Sequence, residues 1–307
     1  MSLPKSRMRD SFLRAVKDRM EKEEDIFFLT ADFGSPVLDD LQQSFPERFV
    51  NVGISEQNLV NVSTGLSLEG YRVIAYAIAP FITMRCLEQI RINLAILSQI
   101  RPLNVTLVGV GAGYSYAVSG PTHQALEDIA LMRVLPKIKV FTPLDFNQTK
   151  QAVRAMIRDD GPSYLRLVRP ETIVWPSPPF KIGQAEILKR GARATLIGCG
   201  PILAETIIRF EKELIGIEII NCLTIKPLDA EKIIRSINKT KKVITIEDHQ
   251  IIGGLGSAVA EIMAENKIGA KLTRIGVNDR FGESARDFRL LWEEYLWGPL
   301  EEAIRQI

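Results

Sequence analysis

Short apolar runs alternate with longer amphipathic stretches along the whole chain. Residues 25–30 (DIFFLT), 72–77, 103–110 (LNVTLVGV), 137–142 (KIKVFT) and 164–168 are rich in β-branched and aromatic side chains and are bounded by turn residues, so they are predicted as strands. Between the last two, residues 147–158 place their apolar positions at helical spacing. Apolar strands separated by helices imply a parallel sheet covered by helices on both faces. The pattern then restarts. Residues 194–198, 216–220 and 242–246 (KVITI) are strand candidates, and 202–214, 229–237 and 256–265 are helix candidates. The expected fold class is therefore α/β, in two domains. Residues 169–179 (RPETIVWPSPP) carry four prolines in eleven positions, which reads as a linker. The expected division is a first domain over 1–180, with the proline-rich linker at 169–180, and a smaller α/β domain over 181–307.

Composition narrows the class. The chain has 307 residues, 46% hydrophobic and 25% charged, the balance of a globular protein. Its 39 basic and 37 acidic residues are mixed along the sequence and leave a net charge of +2, so neither nucleic acid nor a membrane surface is an expected partner. No apolar run is long enough to span a bilayer and no signal-peptide core is visible, so a cytoplasmic location is expected. Cys86, Cys199 and Cys222 form no CxxC pair, which argues against a disulfide framework or a zinc site, and no metal ligand is expected from this chain.

Three stretches carry candidate chemistry. In 51–58 (NVGISEQN) a glycine turn leads into a helix N-terminus, with Ser55 as cap candidate and Glu56 in the first turn. The helix dipole favours a glutamate there whether or not it has a further role. In 119–124, SGPTHQ follows a glycine-rich loop, 109–113, at the end of a predicted strand, the side where open α/β sheets bind ligands. It contains His123, one of only two histidines. The loop matches neither a phosphate-binding Walker sequence nor a strand–GxGxxG–helix unit. In 76–91 (YAIAPFITMRCLEQIR) a turn at Pro80-Phe81 precedes a helix, and Phe81 is either core or site.

Taken together and in this order, TADFGS (30–35), VGISEQ (52–57), Phe81 and GPTHQALEDIALMR (120–133) resemble the pyrimidine-binding domain of the transketolase family. Glu247-Asp248-His249, then IIGGLGSAV (251–259) and DRFGE (279–283), resemble that family's C-terminal domain. The resemblance extends from about Arg9 to the C-terminus.

The resemblance implies thiamine diphosphate as cofactor and transfer of a two-carbon ketol unit between sugar substrates. By it, the Glu56 carboxyl meets N1′ of the aminopyrimidine, which makes the 4′-amino group a base towards the thiazolium carbon. Phe81 stacks on that ring, Ile78 stands where the family has another aromatic, and Asp32 aligns with an acid in the cofactor region. His123 meets substrate oxygens, and Arg9 and Arg169 align with positions that hold a sugar-phosphate tail, with Arg166 as a third charge. Gly253, Gly254 and Gly256 are read as a tight strand-to-helix turn in a domain that packs and supports dimerisation. Two departures fall on the substrate side. Gly111 occupies a histidine position and Ser119 an acid position, which leaves the sugar open. The family's GDG…N motif for Mg²⁺ or Ca²⁺ and diphosphate does not occur in the sequence. The implied partner is a separate N-terminal subunit that carries it, with a homodimer of this chain inside an α₂β₂ heterotetramer. A 1-deoxyxylulose-phosphate-synthase-like activity, a 2-oxo acid dehydrogenase beta-type chain, and a silent scaffolding role remain open alternatives.

Overall fold

The computed structural model describes residues 5–32, 34, 36–168, 171–176 and 178–307. In chain order the strands are β1 (Lys5–Arg7), β2 (Ile26–Thr30), β3 (Phe49–Asn51), β4 (Arg72–Ile78), β5 (Val105–Val110), β6 (Lys139–Phe141) and β7 (Ser163–Leu167). They continue with β8 (Glu171–Ile173), β9 (Glu186–Lys189), β10 (Ala194–Gly198), β11 (Ile217–Asn221), β12 (Thr224–Lys226), β13 (Lys242–Gln250) and β14 (Lys271–Val277). Helices α1 (Met8–Met20), α2 (Pro36–Ser44) and α3 (Glu56–Leu68) belong to the first half.

A seven-stranded sheet runs β12-β6-β7-β5-β4-β2-β3, and a five-stranded one runs β14-β13-β10-β11-β9. All neighbours are parallel except β12 on β6 and β9 on β11. The α/β architecture expected from the apolar runs is thus present in both halves. Every residue of β5, β7 and β10 is buried, as central parallel strands require.

One face of the first sheet packs Phe28, Tyr76 and Val108 against Phe12 and Val16 of α1 and Met156 of the helix Phe146–Arg158. The other face packs Leu29 and Leu107 against Leu59 of α3 and against Ile82, Ile90 and Leu94. This second core does not stop at the first sheet but continues into Ile197, Ile220 and Ile225. The two halves are knitted further by β12, which leaves the second half to close the edge of the first sheet beside β6. A boundary in the sequence pattern is therefore not a gap in space.

Polar groups buried at this junction are tied to one another, although Asp128 Oδ1 and Asp248 Oδ1 have no hydrogen-bond partner among the described residues. Asp128 Oδ2 accepts from the Tyr164 hydroxyl at 2.7 Å and from Arg166 Nε at 2.8 Å. Arg166 Nη2 also donates to the carbonyls of Ala125 (3.1 Å) and Asp248 (2.6 Å), which ties the first sheet to β13. Burial pulls the His249 imidazole down to about 4. The ring is neutral, with Nδ1 donating to the Gln250 carbonyl at 2.7 Å and Nε2 accepting from the Ala130 N–H at 3.3 Å. Glu247 caps the helix Leu255–Glu265, accepting from the amides of Leu255 (2.6 Å) and Gly256 (2.7 Å). A Cβ at Gly254 would lie 2.0 Å from Glu247 Oε2, so this glycine leaves room for the cap, while Gly253, at φ 75°, turns the chain. Among the described residues no helix is long and apolar enough to cross a membrane.

Candidate active site

The carboxyl ends of β2, β3, β4 and β5 lie side by side, so the segments that follow them converge on one edge of the sheet. Asn51, the last residue of β3, organises the first of these. Its Oδ1 accepts from the amides of Asp32 and Gly53, each at 3.0 Å, and its Nδ2 donates to Asp32 Oδ1 at 3.3 Å. Asp32 is exposed and left-handed, with φ 49°, and is engaged in this turn. The turn delivers the chain into α3 with Glu56 as its first residue. Ser55 occupies the N-cap position, but its side chain makes no capping bond, contrary to the expectation from sequence.

Glu56 is buried, its side chain only 5% exposed, and its Oε2 accepts from Arg85 Nη1 at 2.6 Å. The Arg85 guanidinium carbon sits 4.5 Å from the centre of the Phe81 ring. His123 meets the same phenylalanine edge-on, with centroids 5.3 Å apart and planes at 69°. Its Nδ1 is 2.9 Å from Thr122 Oγ1, and the Tyr116 ring lies 5.9 Å away, centroid to centroid. Glu56, Phe81 and His123, distant in sequence, thus form one cluster with Arg85 and Tyr116. Ile78 ends β4 next to this cluster, half-buried and in register with Val110. Burial pushes the Cys86 thiol up to about 12, with the Glu56 charge acting in the same direction, so it is no nucleophile here.

Gly111 explains part of the loop. It has φ +79°, and a Cβ there would lie 1.9 Å from the Tyr116 ring. The space above Gly111 is therefore filled by the Tyr116 ring. Gly111→Ala should lower stability by about 1–3 kcal/mol, from left-handed strain plus displacement of the ring. Denaturant unfolding of the isolated chain measures this; an unchanged midpoint would refute the tight fit. Ser119 is exposed at the start of the single turn Gly120–Thr122.

The second half braces this loop. Gln124 Nε2 donates to the Glu283 carbonyl at 2.8 Å, the Ala285 amide donates to the Ala117 carbonyl at 2.9 Å, and the Tyr114 amide donates to Asp248 Oδ2 at 3.3 Å. The DRFGE segment therefore positions the loop that carries His123.

The three arginines differ in outcome. Arg166 is buried in the Asp128 pair with its guanidinium facing the junction, an arrangement that suits a structural cation rather than the substrate contact expected from sequence. Arg9, at the start of α1, is held by Asp10 Oδ1 at 3.1 Å with its side chain 18% exposed. Arg169 lies outside the described residues. Arg85 was not expected at all. The one available signal is spacing: buried Ile82, Cys86, Ile90 and Leu94 recur every four residues, wider than an α-helix prefers. The backbone is correspondingly wound in the wider π form over Phe81–Arg85 and Ile90–Ile96, a winding frequent at functional sites.

Two family models match the chain: transketolase, pyrimidine binding domain, over residues 5–173, and transketolase, C-terminal domain, over 183–296. The chain belongs to the transketolase family. It is 38% identical over 293 residues to a Methanocaldococcus jannaschii protein described as a putative transketolase C-terminal section, covering 92% of this chain and 90% of that one. It is 33% identical over 282 residues to a 6-deoxy-6-sulfo-D-fructose transketolase subunit of a Clostridium species, covering 90% and 86%. An apulose-4-phosphate transketolase subunit of Phocaeicola vulgatus is 32% identical over 278 residues, covering 88% and 87%. Among solved structures, a split gene transketolase described as an inactive β4 tetramer has a TM-score of 0.87 at 35% identity, covering 98% of this chain and 97% of that one. Transketolase from Campylobacter jejuni shares the fold, with a TM-score of 0.80 at 18% identity over 47% of that chain. The chain is thus a transketolase-like C-terminal subunit.

Proposed function

We propose that this chain is the pyrimidine-site subunit of a split, thiamine diphosphate-dependent transketolase that moves a two-carbon ketol unit between sugar substrates. The observation that carries the reading is the buried Glu56 carboxylate beside the Phe81 ring face, with His123 against the ring edge. The pocket's fit to an aminopyrimidine is supported from within the molecule. A flat, N–H-bearing, delocalised group, the Arg85 guanidinium, already meets both the Glu56 oxygen and the Phe81 face. When bound, thiamine diphosphate supplies the carbon nucleophile of the reaction. Glu56 would hold the proton at N1′, in surroundings where buried apolar neighbours limit competition from water. Phe81 would cover one face of the ring, and His123 would exchange a proton with a substrate oxygen.

The Mg²⁺ or Ca²⁺ and the diphosphate would be held by an N-terminal partner with GDG…N, in an α₂β₂ assembly around a dimer of this chain. Exposed apolar side chains support a covered site: Ile54 (79% exposed) lies two residues before Glu56, and Met84 (37%) and Val118 (76%) adjoin Arg85 and Ser119 in sequence. We place the division of the chain into two units near residue 180, and the enzyme in the cytoplasm. Ser119 and the Tyr116-filled space above Gly111 support a sugar other than the common pentose phosphates.

Mixing the chain with such a partner should produce ketose-to-aldose transfer that neither chain shows alone. Release of CO₂ from pyruvate instead would move the reading to the decarboxylating relatives, and a complex that binds cofactor but turns over neither class would leave a scaffolding role.

A further inference from the structure

We infer that Arg85 stands in for the cofactor's aminopyrimidine in the free chain, and that its displacement sets how tightly the chain takes thiamine. The inference rests on the pyrimidine-site reading of Glu56 and Phe81. One guanidinium makes the two contacts that reading assigns to the ring, at 2.6 Å to the carboxylate and at 4.5 Å over the aromatic face. A guanidinium carbon at that height covers the ring face in cation–π contact, so a second flat group cannot lie on the same face. Binding is therefore an exchange of one planar N–H donor for another, not the filling of a vacant slot.

The asymmetry of burial says which partner moves. The Glu56 side chain is 5% exposed and fixed at the first position of α3, whereas the Arg85 side chain is 46% exposed and reaches in from the solvent side. The turn that carries Arg85 is itself tied down, because its backbone carbonyl accepts from Gln57 Nε2 at 3.3 Å. Displacement thus requires a change of side-chain rotamer and no movement of backbone. A buried carboxylate without a counter-charge is costly, so the closed arrangement is the favoured one until a ligand supplies an equivalent donor. The apparent affinity is then the intrinsic affinity reduced by the fraction of molecules in which Arg85 has swung out.

The test is calorimetric titration of the full-length chain with thiamine diphosphate and Mg²⁺, and separately with thiamine, with circular dichroism confirming the fold of each variant. Arg85→Ala and Arg85→Gln should each bind about five- to tenfold more tightly than the wild type. Arg85→Lys should fall between, since an ammonium keeps the ion pair but cannot lie flat on the ring. The gain should shrink when Phe81→Ala is added, because only the Glu56 contact is then left to compete for. Equal or weaker binding by both Arg85→Ala and Arg85→Gln, including none at the concentrations tried, overturns the inference. If Phe81→Ala or Glu56→Gln alone still weakens binding to the complete enzyme, the pyrimidine-site reading survives that result. A gain of undiminished size in the Phe81→Ala background places the ligand elsewhere and overturns both.

Discussion

Glu56→Gln in the enzyme reconstituted with its partner should lower kcat by about 10²- to 10⁴-fold, the range for loss of a positioned acid–base or preorganised electrostatic group. Glutamine keeps the size and planarity of the side chain, and its carbonyl can still accept from Arg85 Nη1. It cannot take up or release a proton at N1′. The cost should therefore fall on the chemical step. Stability should change little, because Arg85 is nearly half exposed and can turn to water if the pairing weakens. Steady-state kinetics separate the two readings of this residue. A glutamate that merely begins a helix would lose a few tenths of a kcal/mol of stability and no rate. A kcat within about twofold of the wild type would remove Glu56 from the mechanism. Cofactor affinity in the variant sums the loss of the Glu56 contact and the easier release of Arg85, so kcat at saturating cofactor is the quantity that reports on Glu56.

The legible part of this molecule was the part that depends on local pattern. Runs such as 103–110 and 164–168 are apolar because β5 and β7 are buried on both faces, and the parallel sheet follows. Once that sheet is granted, Glu56, Phe81 and His123 must meet, because each follows the carboxyl end of a strand in it. What stayed hidden depends on long-range or conformational facts. The three residues of β12 have no pattern of their own; they become a strand only because β6 offers an open edge. Arg85 reaches Phe81 through a widened helical turn, which the ordinary helical period does not anticipate. Arg166 could have been read better. A charged residue inside the apolar run SYLRL sits where every position is buried, and such a residue needs an internal partner. Its acid, Asp128, lay in view within GPTHQALEDIALMR.

That pair carries the largest stability effect expected in the chain. Asp128 is fully buried, and its Oδ2 is the common acceptor of Tyr164 and Arg166. Burial by itself would lower the Arg166 pKa, and the neighbouring Asp128 and Asp248 charges reverse that and raise it, so the guanidinium stays charged. Asp128→Ala therefore leaves the Arg166 cation with Asp248 as its remaining counter-charge, a carboxyl that burial pushes up to about 6 and that makes no hydrogen bond to the guanidinium in the wild type. Breaking a buried pair in this way costs about 3–5 kcal/mol. At roughly 2–4 °C per kcal/mol for units of this size, the melting temperature should fall by about 6–20 °C. The double variant Asp128→Leu with Arg166→Met should recover most of the loss, because neither charge of the pair is then left without the other. The pair also separates the two roles open to Arg166. If it held a sugar phosphate, Arg166→Met would raise KM and leave the melting temperature alone. As the structure places it, the same change should lower the melting temperature by leaving the buried Asp128 carboxylate without its counter-charge, with any loss of activity following the loss of fold. A melting temperature for Asp128→Ala within about 2 °C of the wild type would return Arg166 to the substrate side.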